Sequence, residues 1–121
     1  MKLKIKEILD GLAILQKISG FSLPAKVSYN IMKNMKKIEH ELKPFEESRF
    51  QLIHKYGKEG DDGKTSVTEE NMPNFFKDIT SILDEDIEVD IRQIKIEQIE
   101  EVKLTPNEMQ FIDFIIEKEV E

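Results

Sequence analysis

The chain reads as an α+β domain dominated by helices, with a long kinked central helix, three shorter helices and a small two- or three-stranded sheet. Three observations predict this. Ile31, Ile38, Phe45 and Leu52 recur every seven residues with Met35 and Leu42 between them, a coiled-coil-like seam about three heptads long. Two short segments, one near each end of the chain, alternate apolar and charged residues with opposite sign of charge. The stretch LTPNEM combines an N-cap threonine, a proline and a glutamate at the spacing that starts a helix.

In chain order, Met1, Leu3 and Ile5 alternate with Lys2, Lys4 and Lys6, the period-2 pattern of a strand. From Ile8 the apolar spacing widens to three and four residues through Leu9, Leu12, Leu15 and Ile18, which predicts a first helix stopped by Ser19-Gly20. Ser22 is placed as the next N-cap, with Pro24 inside the first turn. The long helix follows, and Pro44 falls within it. A mid-helix proline removes a hydrogen bond and clashes with the preceding turn at a cost of about 3 kcal/mol, so a kink or break is expected near 40–43. The helix resumes through Tyr56 and stops at Gly57.

Residues 56–72 read YGKEGDDGKTSVTEENM. An EF-hand loop needs oxygen ligands at its positions 1, 3, 5 and 12 around a glycine at 6. With Gly63 at position 6, Lys58 and Gly60 fall where two carboxylates are required, and Thr65 replaces the apolar residue at position 8. Asp62-Gly63 is instead a tight-turn pair, closing a hairpin whose second arm is Thr65 to Val67. Ser66 or Thr68 then caps a third helix over 71–83, with Phe75, Phe76, Ile79 and Ile82 as its buried stripe. Ile87, Val89 and Ile91 alternate with Glu88, Asp90 and Arg92 as the second strand. Its acidic positions complement the first strand's lysines, so the two are expected to pair, Leu3–Ile5 with Ile87–Ile91. The shift of apolar register to Ile94 and Ile96 implies a bulge or the strand's end. Thr105, Pro106 and Glu108 begin a last helix, with Leu104 and Met109 placed for a hydrophobic staple and Ile112, Ile115 and Ile116 on its inner face to about Lys118.

At 121 residues the chain is long enough for a single domain and a single core. Apolar residues make up 39% and charged residues 36%, a balance that argues against disorder. No apolar run approaches the roughly 18 residues of a membrane span, so no membrane association is expected. There is no cysteine, hence no disulfide, thiol nucleophile or cysteine-bound zinc, and a cytoplasmic setting fits. Residues 1–60 carry a net charge of +5 and residues 61–121 a net of −12, for a total of −7. Such asymmetry marks either a partner surface or two faces that attract within one fold.

Chemistry is sparse. His40 and His54 stand about 21 Å apart on a continuous helix, too far to share a metal unless the chain folds back at Pro44. The glycines at 57, 60 and 63 are not followed by the Lys-Ser/Thr of a phosphate-binding loop, and no nucleophile elbow occurs. Glu39, Glu41, Glu46 and Glu47 read as a solvated helix face. The chain is therefore expected not to be an enzyme, and neither cofactor nor metal is expected. Two charged surfaces remain. Lys26, Lys33, Lys36, Lys37 and Lys43 form a basic helix face that could bind nucleic acid, although it has few aromatic residues for stacking and no arginine. Asp84, Glu85, Asp86, Glu88, Asp90, Glu97, Glu100 and Glu101 form an acidic region suited to a protein partner.

The stretch SLPAKVSYNIMKNMKKIEHELKPFEESRFQLIHKYG, followed by EEN with a phenylalanine beyond it, ILDEDIEVDI and KLTPNE, resembles the small, mostly uncharacterised accessory proteins encoded by phages and prophages of low-GC Gram-positive bacteria. The likeness covers most of the chain in pattern and order and transfers no catalytic residue. It implies a non-catalytic factor in the bacterial host cytoplasm that acts by binding a host or phage protein. Inhibition of a host defence system or host enzyme is preferred to a virion or assembly role, and nucleic-acid binding through the lysine face is the rival. A monomer or a homodimer is expected, with any dimer seam on the Ile31 to Leu42 half of the long helix.

Overall fold

A computed structural model describes residues 1–118. The elements run in the order β1 (Lys2–Lys4), α1 (Ile5–Ile18), α2 (Ala25–Glu41), α3 (Lys43–Tyr56), β2 (Gly57–Glu59), β3 (Thr65–Val67), α4 (Met72–Leu83), β4 (Asp86–Glu88) and α5 (Pro106–Phe111). Short 3-10 turns at Ile96–Ile99 and Asp113–Ile115 complete the described chain. This is the mostly helical α+β fold expected, with two small antiparallel two-stranded sheets, β1-β4 and β2-β3.

β1 pairs with β4 in the register Lys2 to Glu88, Leu3 to Ile87 and Lys4 to Asp86. Lys2 meets Asp86 at 3.7 Å and Lys4 meets Asp84 at 3.9 Å, so the complementary charges lie along the pairing as their sequence pattern predicts. Both strands are shorter than expected. Ile5 already opens α1, its N–H bonded to the Glu85 carbonyl at 3.0 Å. Beyond Glu88 the chain leaves the sheet and runs along α2 to Ile94, which bridges in parallel to Ile116.

The long helix is divided at Leu42. Pro44 then occupies the first turn of α3, where a missing N–H costs nothing, rather than a helix interior. Leu42 keeps near-helical angles, donating to the Ile38 carbonyl and accepting from the Glu46 N–H at 2.9 Å each, so the junction is a kink rather than a loop. Ile31, Ile38, Leu42 and Phe45 are all buried in the same core as Ile8, Leu15 and Ile18 of α1. Ile31, Ile38, Leu42 and Phe45 of the heptad-like row are thus consumed within its own fold, while Met35 stays half-buried.

Other expectations are corrected. Ser22 does not cap α2; Pro24 takes the N-cap position, and helical geometry begins at Ala25. Phe76 is exposed, because the neighbours of α4 cover only the stripe through Phe75, Ile79 and Ile82. The last helix ends at Phe111 instead of near Lys118. Ile112 leaves helical geometry, and a 3-10 turn then presents Ile115 and Ile116 to the core alongside Ile112. The capping box itself forms as read: the Thr105 hydroxyl accepts from the Glu108 N–H, and the Glu108 carboxylate accepts from the Thr105 N–H.

The segment opening at Tyr56 is a β-hairpin. The Gly60 N–H donates to the Lys64 carbonyl at 2.9 Å, and Asp62 accepts from the Lys64 N–H through Oδ1 at 3.0 Å. Gly63 has φ +78°, the left-handed conformation that favours glycine. Asp62 thus serves the turn geometry.

Among the described residues one polar side chain, that of Asn34, is fully buried in this core. The Asn34 amide, on α2, donates from Nδ2 to the Arg92 carbonyl at 2.8 Å and accepts the Arg92 N–H through Oδ1 at 2.9 Å. Truncating it strips both backbone groups of Arg92 of their partner. Asn34→Ala is expected to cost about 2 kcal/mol, seen as a lowered urea midpoint, with the exposed hydrogen bond that the Arg92 guanidinium donates to Asn30 Oδ1 unable to compensate. A second tether joins α1 to α5, where Lys17 Nζ donates to Glu108 at 2.7 Å. That bond, with the Thr105 N–H, holds the Glu108 carboxyl below the ordinary glutamate range. Its contribution is complete above the unfolded-state value and is lost as pH falls through the depressed folded value. Glu108→Gln should therefore lower the melting temperature at neutral pH, and the gap from wild type should close on acidification through that window.

Candidate protein-docking groove

α2 turns three different faces to its surroundings. Val27, Ile31, Asn34 and Ile38 point into the core. On one side of that face, the chain from Val89 to Arg92 lies against the helix, with Lys37 bonding Asp90 and Arg92 bonding Asn30 as well as Asn34. On the other side Ala25, Ser28, Met32, Met35 and Glu39 follow a helical row rotated by about 110° from the core face. On this row Ala25, Ser28, Met32 and Glu39 are exposed and Met35 is half-buried.

The row forms the floor of a groove of about 670 Å³. Its wall is the end of α1 and the connection to α2: Ile18, Phe21 and Leu23. The connection is there because Ser19-Gly20 ends α1 and Pro24 delays α2, which leaves Phe21 outside both helices. Phe21 is 45% exposed, Tyr29 49% and Met32 41%. These three large apolar side chains border one concavity, and contiguous exposed apolar surface is what marks an interaction site.

The edge of the groove towards Tyr29 is basic. Lys33 Nζ lies 5.9 Å and the Arg92 guanidinium 5.3 Å from the centre of the Tyr29 ring, one ring holding two cations. Lys36 lines the groove itself and Lys26 is exposed one turn before Tyr29. Among the described residues none of Lys26, Lys33 and Lys36 makes an ion pair.

The sequence-based candidates are placed as follows. Of the lysine set, Lys26, Lys33 and Lys37 share one side of α2. Lys37 is engaged by Asp90 at 3.4 Å, and Lys43 lies beyond the kink at the start of α3. Of the acidic set, Asp84, Asp86 and Asp90 pair with Lys4, Lys2 and Lys37, and Glu88 binds the Met1 amino group at 2.7 Å. Half of that region is therefore internal charge balance. Glu85, Glu97, Glu100 and Glu101 are exposed and make no ion pair among the described residues, with the last three gathered at the 3-10 turn after Lys95. His40 sits near Asp90, at one end of α2, whereas His54 meets Phe50 edge-on, ring centres 4.3 Å apart, on α3. Among the described residues no group of three or more His, Asp or Glu side chains is positioned to hold a metal ion, and no helix is long and apolar enough to cross a membrane.

Sequence reasoning missed the groove because Phe21, Tyr29 and Met32 carry no period of their own. The signal was present as apolar residues off the Ile31–Ile38 stripe, in a helix whose core face was already complete. Comparison with protein-family models, curated proteins and solved structures finds no match to this chain, so its geometry is what bears on function.

Groove residues that are exposed should contribute little to the fold. Phe21→Ser and Met32→Ser are each expected to change stability by no more than about 0.5 kcal/mol in urea titration. Ile31→Ser, one residue away but buried, should lose several times as much.

Proposed function

We propose that this protein acts without catalysis of its own, as a phage-encoded accessory factor that binds a host or phage protein through the groove on α2. The observation that carries this reading is the cluster of Phe21, Tyr29 and Met32 left exposed around one apolar concavity. Exposing such a cluster opposes solubility, and a partner that covers it offsets the cost. The resemblance to phage accessory proteins supports the origin and the binding role, and the absence of cysteine from the whole sequence fits the reducing cytoplasm of a host cell.

Nucleic-acid binding through the lysine face is less well supported. Lys37 is engaged by Asp90 and Lys43 lies beyond the kink on α3, so the five lysines do not form one continuous track with several stacking rings. The test is capture of interacting proteins from host lysate by the wild type and by Met32→Asp in parallel, each checked for a native melting curve. The reading expects a partner retained by the wild type and lost by Met32→Asp, with Glu97→Lys/Glu100→Lys/Glu101→Lys still able to retain it. An identical set of captured proteins with and without Met32→Asp refutes it.

A further inference from the structure

We propose that the occupant of the groove is an amphipathic helix of the partner protein, about four turns long, that carries a row of carboxylates along the edge facing Tyr29. This rests on the protein-binding reading above and names the shape and charge of what binds.

The shape follows from the floor. Ala25, Ser28, Met32, Met35 and Glu39 are spaced by three or four residues and span about 21 Å of α2, the footprint of a helix lying alongside another helix. Small side chains at Ala25 and Ser28 let the incoming backbone approach at one end. Met32 and Met35, unbranched and polarizable, can pack against varied apolar side chains further along. Phe21 and Leu23 rise as a wall at the Ala25 end. A helix with apolar residues at i, i+3, i+4 and i+7 fills such a trough, as in other helix-in-groove complexes.

The charge follows from the edge. Lys36 lines the groove, Lys33 and the Arg92 guanidinium lie over the ring of Tyr29 at its border, and Glu39 is the one carboxylate among the described lining residues, so three cations face one anion. This is a local excess of positive charge on a chain whose net charge is −7. Carboxylates on the facing edge of an incoming helix would meet these cations, and steering would favour acidic helices over basic ones.

A second copy of this chain suits the groove poorly. Two α2 helices packed face to face and antiparallel about a two-fold axis bring both lysine rows to the same side, where they repel. The acidic residues at 97, 100 and 101 lie in a 3-10 turn and its exit, not on a helix with an apolar face. Nucleic acid would answer the lysines but leave the apolar floor wet.

The test uses synthetic probes on the full chain. A labelled amphipathic peptide of about 18 residues, with leucine and phenylalanine on one face and glutamate along one edge, is titrated by fluorescence anisotropy. Matched peptides carry lysine along that edge, or the same residues scrambled. The glutamate peptide should bind saturably and about tenfold more tightly than the lysine peptide, because several rim charges each contribute modestly. Lys33→Glu/Lys36→Glu should invert that preference, and Met32→Asp and Phe21→Ser should each weaken both peptides, with melting curves unchanged. Equal binding of the two charge forms, or of the scrambled peptide, overturns the proposal. So does a dimer in sedimentation velocity that Met32→Asp dissolves, or saturable binding of a labelled single-stranded DNA or RNA that Met32→Asp leaves intact. If lysate capture depends on Met32 while the glutamate peptide fails to bind, the protein-binding reading stands and the acidic helix falls. If capture ignores Met32, the reading itself falls.

Discussion

The orientation of α2 about its own axis is the constraint on which the rest of this fold depends, and a single buried amide sets it. Asn34 must point at Arg92, because each of its amide atoms is paired with a backbone group of that residue and neither has water to fall back on. Rotating α2 by even one residue would leave a carbonyl, an N–H and a side-chain amide unpaired together in the core. Apolar packing alone would not enforce this, since Ile31, Ile38 and Leu42 could settle into a core at several nearby rotations. With Asn34 held, the flank carrying Asn30 and Lys37 faces the chain at 89–92. The opposite flank, carrying Ser28, Met32 and Met35, is left against the α1–α2 connection. The groove is the geometric remainder of the clamp.

Charge is distributed by the same arrangement. The acidic stretch after α4 runs first beside β1 and then beside α2, so Lys2, Lys4 and Lys37 neutralise Asp86, Asp84 and Asp90 in turn. These pairs are exposed and individually weak, worth about 0–1 kcal/mol each, so their effect is on register and docking direction more than on stability. What the pairing leaves over is instructive. Lys36 remains on the groove, Lys33 and Arg92 remain beside Tyr29 at its border, and Glu97, Glu100 and Glu101 remain at the far end of the following segment. The imbalance between the two halves of the sequence is partly internal, and the residue of it lies where a partner could reach.

Most elements were legible from residue pattern because they are specified locally. The capping box at Thr105 and Glu108, the turn at Asp62-Gly63 and the break forced by Pro44 all depend on side chains within a few residues of one another. The pairing of the first strand with the second was also legible, since alternation and opposite charge together leave few other registers. Boundaries failed where a distant contact decided them. α1 starts at Ile5 because Glu85 offers a carbonyl to its N–H, and α5 ends at Phe111 because Ile115 and Ile116 must reach the core and Ile94. Asn34 read as an unremarked polar residue in a lysine-rich helix. Its partner is far along the chain, and no helical period reports a side chain that bonds a backbone elsewhere.

An apolar concavity left open on a small acidic protein would ordinarily invite self-association, and the lysine row bears on why it need not. Like charge along one edge penalises antiparallel two-fold pairing of α2 with itself, the arrangement that would otherwise cover Met32 most completely, while leaving the groove open to an oppositely charged helix. Under the acidic-helix proposal the same side chains would favour one class of partner and disfavour the commonest wrong one, which is how specificity is obtained when a shallow apolar surface cannot supply it alone. Tyr29 is the residue where the two requirements meet. It is apolar enough to border the groove and electron-rich enough to hold Lys33 and Arg92 over its face, so the positive edge is kept beside the apolar floor instead of dispersing into solvent.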